Sequence, residues 1–286
     1  MNNIRTIPSG AALGAEIRGL DLSGKLNGAE VGILKTAWNQ HLVLVFRKQV
    51  LSDTELINFS RYFGLLDLCP PNATGKQYVK EHPELTVVSN RIVGGEPIGS
   101  LGDGEVRWHT DMSNHSRPPK ASILYALEVS KEGGQTEFCN LYQATSELPK
   151  QLLSIVRGKM AYHDGTYDSS GAQEFGVEVA GERTEPPNAR HPLVIRHSVT
   201  NREVIYLGRR PHQYIVGMDA AESEIVLDKL WSHSTQRKYV WSHQWEVGDV
   251  VIWDNRCVMH RRNRFPPGSC RTMHRTQVTG DTMITG

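Results

Sequence analysis

Trp108-His109-Thr110-Asp111 places an imidazole and a carboxylate two residues apart. On a strand, positions i and i+2 face the same side, so both side chains could reach one metal ion. Taken alone the pattern is weak. With 12 histidines in the chain, about one such H-x-[DE] is expected by chance at ordinary acidic-residue frequencies. His82-Pro83-Glu84 repeats it, but Pro83 argues against a paired strand, and that triplet reads as a surface turn. A third candidate ligand, His260, follows the apolar run Asp249-Val-Val-Ile-Trp253 and the turn residues Asp254-Asn255-Arg256. Two histidines and one carboxylate, with coordination positions left open, make the facial triad of non-haem Fe(II) oxygenases.

Arg271 and Arg275 follow His260 at +11 and +15. Four residues apart on a strand, they share a face, with Cα atoms ~13 Å apart by strand rise. Each guanidinium can fork onto a separate carboxylate or similar anion, which a lysine cannot do. Gly133-Gly134-Gln135-Thr136 is a turn running into a β-rich segment. The Thr136 hydroxyl is either an ordinary strand side chain or a donor to a bound carboxylate. The alternative for Arg275 is a protein carboxylate such as Glu137 or Asp254, or a place facing solvent.

These residues need a scaffold that converges them. The chain has 286 residues, enough to bury a sizeable core. Lys+Arg 32 against Asp+Glu 31 leaves +1, which excludes a general basic field for nucleic acid or a membrane surface. No apolar run approaches the ~20 residues of a membrane span, and Met1 to Gly14 lacks a signal-peptide pattern. Cys69, Cys139, Cys257 and Cys270 show no C-x-x-C spacing and read as free thiols of a reducing cytosol. That compartment also suits a metal that must stay Fe(II).

The first 65 or so residues read as strand, helix, strand, helix. Val31, Leu34 and Trp38 fall near helical spacing, and Leu42 reads as the start of the next strand. Ser52-Asp-Thr-Glu55 is a capping box opening a helix to about Phe63, closed by Gly64. Beyond it come short β-rich runs at 85–89, 121–129, 136–141, 192–197, 203–208, 249–253 and 272–279. Asp219-Ala-Ala-Glu222 caps a further helix carrying Ile225, Val226, Leu230 and Trp231. Many strands without regular helical alternation favour an antiparallel sandwich or jelly roll over a doubly wound sheet. Stretches 69–80, 90–106 and 164–191 lack periodicity and are either loops over a site or plain connections.

Taken together, Trp108-His-Thr-Asp111, Gly133-Gly-Gln-Thr136, Trp253-Asp-Asn-Arg256 with His260, and Arg271-Thr-Met-His-Arg275 stand in the order and spacing of one family. The chain resembles the taurine dioxygenase family, which includes the aryloxyalkanoate dioxygenases, from about Ile7 to Thr279. Gly14-Ala-Glu-Ile-Arg-Gly-Leu-Asp-Leu22 resembles its opening strand. The resemblance implies one mainly β domain over 1–286, a double-stranded β-helix (jelly roll) with flanking helices. It implies His109, Asp111 and His260 as iron ligands, and Thr136 with Arg271 on the far carboxylate of 2-oxoglutarate. Arg275 is implied near the substrate anion or the near carboxylate.

The activity implied is Fe(II)- and 2-oxoglutarate-dependent hydroxylation by O2 of a small anion: a sulfonate, an aryloxyalkanoate, or an amino or hydroxy acid. The co-substrate would leave as succinate and CO2. A homodimer or homotetramer is the implied assembly. No position in 69–90 is matched to the family's sulfonate-contacting histidine, so taurine itself does not follow as substrate. The rival readings are a jelly-roll metalloenzyme without 2-oxoglutarate and a non-enzymatic binding jelly roll. The paired arginines and Thr136 speak against the first, and an intact ligand trio against the second.

Overall fold

A computed structural model describes residues 4–69, 77–167 and 189–280. The N-terminal part is a hairpin, β1 (Arg5–Pro8) and β2 (Ala15–Arg18), then α1 (Gly28–His41), β3 (Val43–Phe46) and α2 (Asp53–Arg61). Two capping boxes open the helices. The Ser52 hydroxyl takes the Glu55 amide, and Glu55 takes the Ser52 amide; Asn27 and Glu30 do the same for α1. Leu42 does not begin β3. It is the left-handed C-cap of α1 (φ 66°), its N–H donating to the Trp38 carbonyl, and this reverses the chain before the strand.

Next come β4 (Thr86–Ser89), the short pair β5 (Ile92–Val93) and β6 (Glu96–Pro97), β7 (Ser100–Leu101), β8 (Val106–His109), β9 (Ala121–Glu128) and β10 (Thr136–Asn140). The aperiodic stretch 90–106 thus carries short strands of its own. Gly133 and Gly134, both at positive φ, turn the chain into β10, and a Cβ at Gly133 would strike the Arg264 carbonyl. After α3 (Leu141–Ser146) and α4 (Lys150–Val156) follow β11 (Met160–His163), β12 (Ala189–Pro192), β13 (Val194–Arg196), β14 (Glu203–Ile205) and β15 (Tyr214–Ile215). The run at 203–208 is therefore strand only over its first half. Most of 69–80 and 164–191 lies outside the described residues.

The C-terminal part is α5 (Ala220–Ser234), capped by Asp219, then β16 (Val240–His243), β17 (Val250–Asp254), β18 (Val258–Arg262) and β19 (Thr272–Val278). Val226, Leu230 and Trp231 are buried on α5 as expected, whereas Ile225 faces out.

The result is mostly sheet with a few helices. Eight strands pair in the order β1-β2-β3-β17-β9-β19-β4-β7, and four more in the order β16-β10-β18-β8. Alternation along the central strands divides the core. Val43, Val45, Leu124, Ala126, Val251 and Trp253 join Phe138 of the four-stranded sheet in one cluster. Leu44, Phe46, Ile123, Tyr125, Val250 and Ile252 join Leu34, Leu56 and Phe59 of the helices in the other. Both faces of the large sheet are covered, which is why 42–46 reads as an unbroken apolar run. Truncating one of these residues, for example Phe46→Ala, would cost about 3–5 kcal/mol. Among the described residues no helix is long and apolar enough to cross a membrane.

Candidate active site

His109 ends β8, and His260 lies in the middle of β18 directly opposite it in the ladder, with ring centroids 4.1 Å apart. Sequence reasoning placed His260 after a turn. That β18 is a strand does not show in the sequence, nor do β11 and β16. Asp111 is not on the strand with His109. β8 stops at His109, the Thr110 amide donates to the Gly208 carbonyl at 2.9 Å, and Asp111 opens a turn. Strand alternation therefore does not aim its carboxylate.

Ser122 on β9 does. Its hydroxyl donates to Asp111 Oδ2 at 2.6 Å and accepts from Asn255 Nδ2 at 3.0 Å and Gln277 Nε2 at 3.3 Å. Asn255 Oδ1 in turn accepts the Trp253 indole N–H at 2.9 Å. The one donor and two lone pairs of Ser122 are all used, so its proton is committed to Asp111.

The three predicted ligands offer donor atoms within 4.8 Å of one another. Asp111 Oδ1 lies 3.5 Å from His109 Nε2 and 3.8 Å from His260 Nε2. His109 Nδ1–H donates to the Arg107 carbonyl at 2.8 Å, which leaves the Nε2 lone pair facing the cluster. Burial and the neighbouring His109 push the His260 pKa down to about 3, so that ring stays neutral. Burial alone would raise the Asp111 pKa. With both rings neutral, the permanently charged Arg275 at 3.6 Å is what opposes it and holds the carboxyl below its usual value. Neutral imidazole and ionised carboxylate are the forms that bind a metal. The residues present fit a 2-His-1-carboxylate iron site.

All six predicted site residues, His109, Asp111, Thr136, His260, Arg271 and Arg275, line one cavity of about 360 Å³. Thr136 and Arg271 come from opposite sheets. Thr136 Oγ1 accepts the Trp245 indole N–H at 2.9 Å, so its own proton is free for a bound anion. Arg271 is 3% exposed and its Nε has no partner. It precedes β19, and a bulge opposite Thr272–Met273 interrupts the pairing with β9. Arg275, on β19, still faces the same cavity. Burial and the nearby Arg262 push the Arg271 pKa down to about 9. Arg275 Nη1 lies 3.6 Å from Asp111 Oδ1. The alternative partners are engaged elsewhere: Glu137 with Arg237 and Arg261, Asp254 with Arg256 and His197.

Asp111 is the one carboxylate among the described residues lining the cavity, against the four arginines Arg209, Arg262, Arg271 and Arg275. Sequence reasoning missed Arg262, although its place two residues after His260 on one strand was a usable signal. Ser122 and Asn255 had no such signal. His82 lies in a turn, as expected. Its ring nitrogen is 3.4 Å from Thr54 Oγ1, and it does not line the cavity.

A second buried trio, His197, Asp254 and Cys257, also clusters. There His197 Nε2 is spent on Asp254 at 3.0 Å, and its Nδ1 accepts the amides of Val199 and Thr200. Burial and Asp254 push the Cys257 thiol up, so it stays protonated. This trio braces the 254–257 turn that precedes β18.

The model of the taurine catabolism dioxygenase TauD, TfdA family matches residues 4–277. The alpha-ketoglutarate-dependent 2,4-dichlorophenoxyacetate dioxygenase of Cupriavidus pinatubonensis is 31% identical over 278 residues, 94% of this chain and 96% of that protein. The (S)-phenoxypropionate/alpha-ketoglutarate-dioxygenase of Delftia acidovorans is 31% identical over 284 residues, 97% and 95% respectively. The crystal structure of AAD-2 with Mn(II) and N-oxalylglycine superposes with a TM-score of 0.80 at 28% identity, covering 99% of this chain and 100% of that one. The chain belongs to the taurine catabolism dioxygenase TauD, TfdA family and is an Fe(II)- and 2-oxoglutarate-dependent dioxygenase.

Proposed function

We propose that His109, Asp111 and His260 ligate Fe(II), that Thr136 and Arg271 hold the far carboxylate of 2-oxoglutarate, and that Arg275 faces the anionic group of a small organic substrate. The observation that carries the substrate class is the charge of the cavity: one carboxylate, Asp111, against Arg262, Arg271 and Arg275, apart from Arg209, which is engaged by the Tyr167 carbonyl. Fe(II) and the dianionic co-substrate cancel each other, so the cavity keeps a surplus of positive charge that an anion can meet. The two relatives above are named for 2,4-dichlorophenoxyacetate and (S)-phenoxypropionate, each a carboxylate on an aryl ether. The apolar part of the wall, with Val88, Val106, Leu124 and Trp253, suits such a body.

Bound iron, 2-oxoglutarate and O2 supply the oxidation of a substrate C–H bond, with 2-oxoglutarate leaving as succinate and CO2. The chain's own part is positional. Ser122 keeps Asp111 aimed, and Arg275 keeps it ionised. Arg107 selects the His109 tautomer. Thr136 and Arg271, reaching across from opposite sheets, set the co-substrate's orientation. Arg275 holds the substrate anion at the edge of the ligand cluster and so brings its nearest carbons to the reacting end. The double-stranded β-helix is our reading of the two sheets, supported by their shared core. Four free cysteines support the reducing cytosol as its compartment, and a homodimer or homotetramer completes the reading.

The test is a screen of small sulfonates, aryloxyalkanoates and amino or hydroxy acids, reading succinate above the substrate-free background. Arg275→Ala should raise the primary-substrate KM strongly and the 2-oxoglutarate KM much less. A neutral or cationic preferred substrate, or an unchanged substrate KM in that variant, would remove Arg275 from this role.

A further inference from the structure

We propose that Arg262 is a second cation for the far carboxylate of 2-oxoglutarate and ties occupancy of that site to the 101–104 segment of the cavity wall. The inference rests on the co-substrate placement given above. β10 and β18 pair without a bulge: Thr136 opposes Arg262, Glu137 opposes Arg261, and Phe138 opposes His260. Arg262 and His260 therefore share the inner face with Thr136, and Arg261 takes the other face, where it meets Glu137 at 2.6 Å. Along β18 the Arg262 Cα lies ~6.6 Å beyond that of His260 by strand rise. It stands on the way from the metal ligand towards the carboxylate end, beside the one threonine already placed there.

Arg262 is 6% exposed and lines the cavity. Its Nη2 donates to the carbonyls of Leu101 at 2.7 Å and Gly104 at 2.6 Å, while its Nε has no partner. Among the described residues neither Arg262 nor Arg271 forms an ion pair. Two buried guanidiniums without a contacting carboxylate are costly, because each has left water and Arg262 has only the more distant Asp103 as counter-charge. Carbonyl dipoles satisfy some N–H groups of Arg262 but do not neutralise it. A carboxylate has two oxygens and about four acceptor positions. It can take Arg271 from the large sheet together with Thr136 and Arg262 from the small one.

The same guanidinium is a tether. Ser100 and Leu101 line the cavity, and Leu101 holds a left-handed φ of 71°, which a non-glycine residue adopts only under constraint. Arg262 supplies part of that constraint. A carboxylate that fixes the Arg262 side chain thereby steadies Leu101 and Gly104, and with them one wall of the substrate space.

Calorimetric titration of the manganese-loaded, anaerobic protein separates a charge role from a purely structural one. The probes are 2-oxoglutarate and 2-oxopentanoate, which has a methyl group in place of the far carboxylate. Arg262→Gln keeps a donor for the loop carbonyls and removes the charge; Arg262→Lys keeps the charge. Arg262→Gln should weaken 2-oxoglutarate by about tenfold or more, the worth of a hydrogen bond to a charged group. Its affinity for 2-oxopentanoate should change little, and Arg262→Lys should recover part of the selectivity. Hydrogen exchange at 101–104 should be slowed by 2-oxoglutarate in the wild type and not in Arg262→Gln. Equal losses for both keto acids, or unchanged 2-oxoglutarate binding, overturn the proposal for Arg262. A wild type that binds both keto acids alike overturns the far-carboxylate site itself.

Discussion

Ser122→Ala deletes the hydroxyl that holds Asp111 Oδ2 at 2.6 Å. Ser122 is fully buried, so water does not take the vacated place freely. The carboxylate loses a charge-assisted hydrogen bond worth about 1.5–3 kcal/mol. Asn255 Nδ2 loses its acceptor at 3.0 Å, a further ~1–3 kcal/mol for a buried donor left unpaired. Both losses fall on one side of Asp111, the side away from the histidines. The carboxylate is then free to swing towards Arg275, already 3.6 Å from its other oxygen. Loss of such a supporting partner costs about 10–100-fold in metal affinity. Anaerobic Fe(II) titration of the purified variant would measure this, with thermal melting recording the accompanying loss of stability. Thr136→Ala is the control: it should lower stability as well but spare metal binding, weakening the co-substrate instead. A folded Ser122→Ala protein that binds Fe(II) as tightly as the wild type would falsify the view that Ser122 aims this ligand.

Arg271→Ala should raise the KM for 2-oxoglutarate by well over tenfold, since truncating one side of a desolvated charge pair costs about 2–5 kcal/mol. Thr136→Ala should have the smaller effect, about 1.5–3 kcal/mol, and should also lower the melting temperature because the Trp245 indole loses its acceptor; the reverse order would move the clamp elsewhere. His82→Ala should leave iron content unchanged and stability within about 0.5 kcal/mol, whereas loss of iron there would mean the wrong H-x-acid triplet was chosen. Burial lowers the pKa of His163, His191 and His243, so the folded chain keeps them neutral. The unfolded chain takes up those protons once the pH drops below about 6.5. Stability should therefore be full above that pH and decline as the pH falls. A melting temperature that stays flat or rises from pH 7 to pH 5 contradicts this account.

Local chemistry was legible in the amino-acid sequence wherever a short segment decides its own conformation. The Ser52 and Asp219 caps, the Gly133-Gly134 turn and the β-rich runs around 121–129 and 249–253 all depend on near neighbours, and they stand where composition placed them. The six candidate residues that line the one cavity stood out too, because their types and order carry the family likeness. Leu42 was misread because an apolar residue beside a strand looks like strand, whereas the need to reverse the chain after α1 gave it a left-handed φ. Asp111 was found for the wrong reason: alternation with His109 ends at the end of β8, and Ser122 of β9 does the aiming. Which sheet faces which is a property of long-range pairing. That pairing set His260 opposite His109, brought Thr136 and Arg271 in from opposite sheets, and turned Arg262 inward and Arg261 outward. No window of neighbouring residues contains those contacts, because the free energy that selects them comes from burying both faces of one sheet at once.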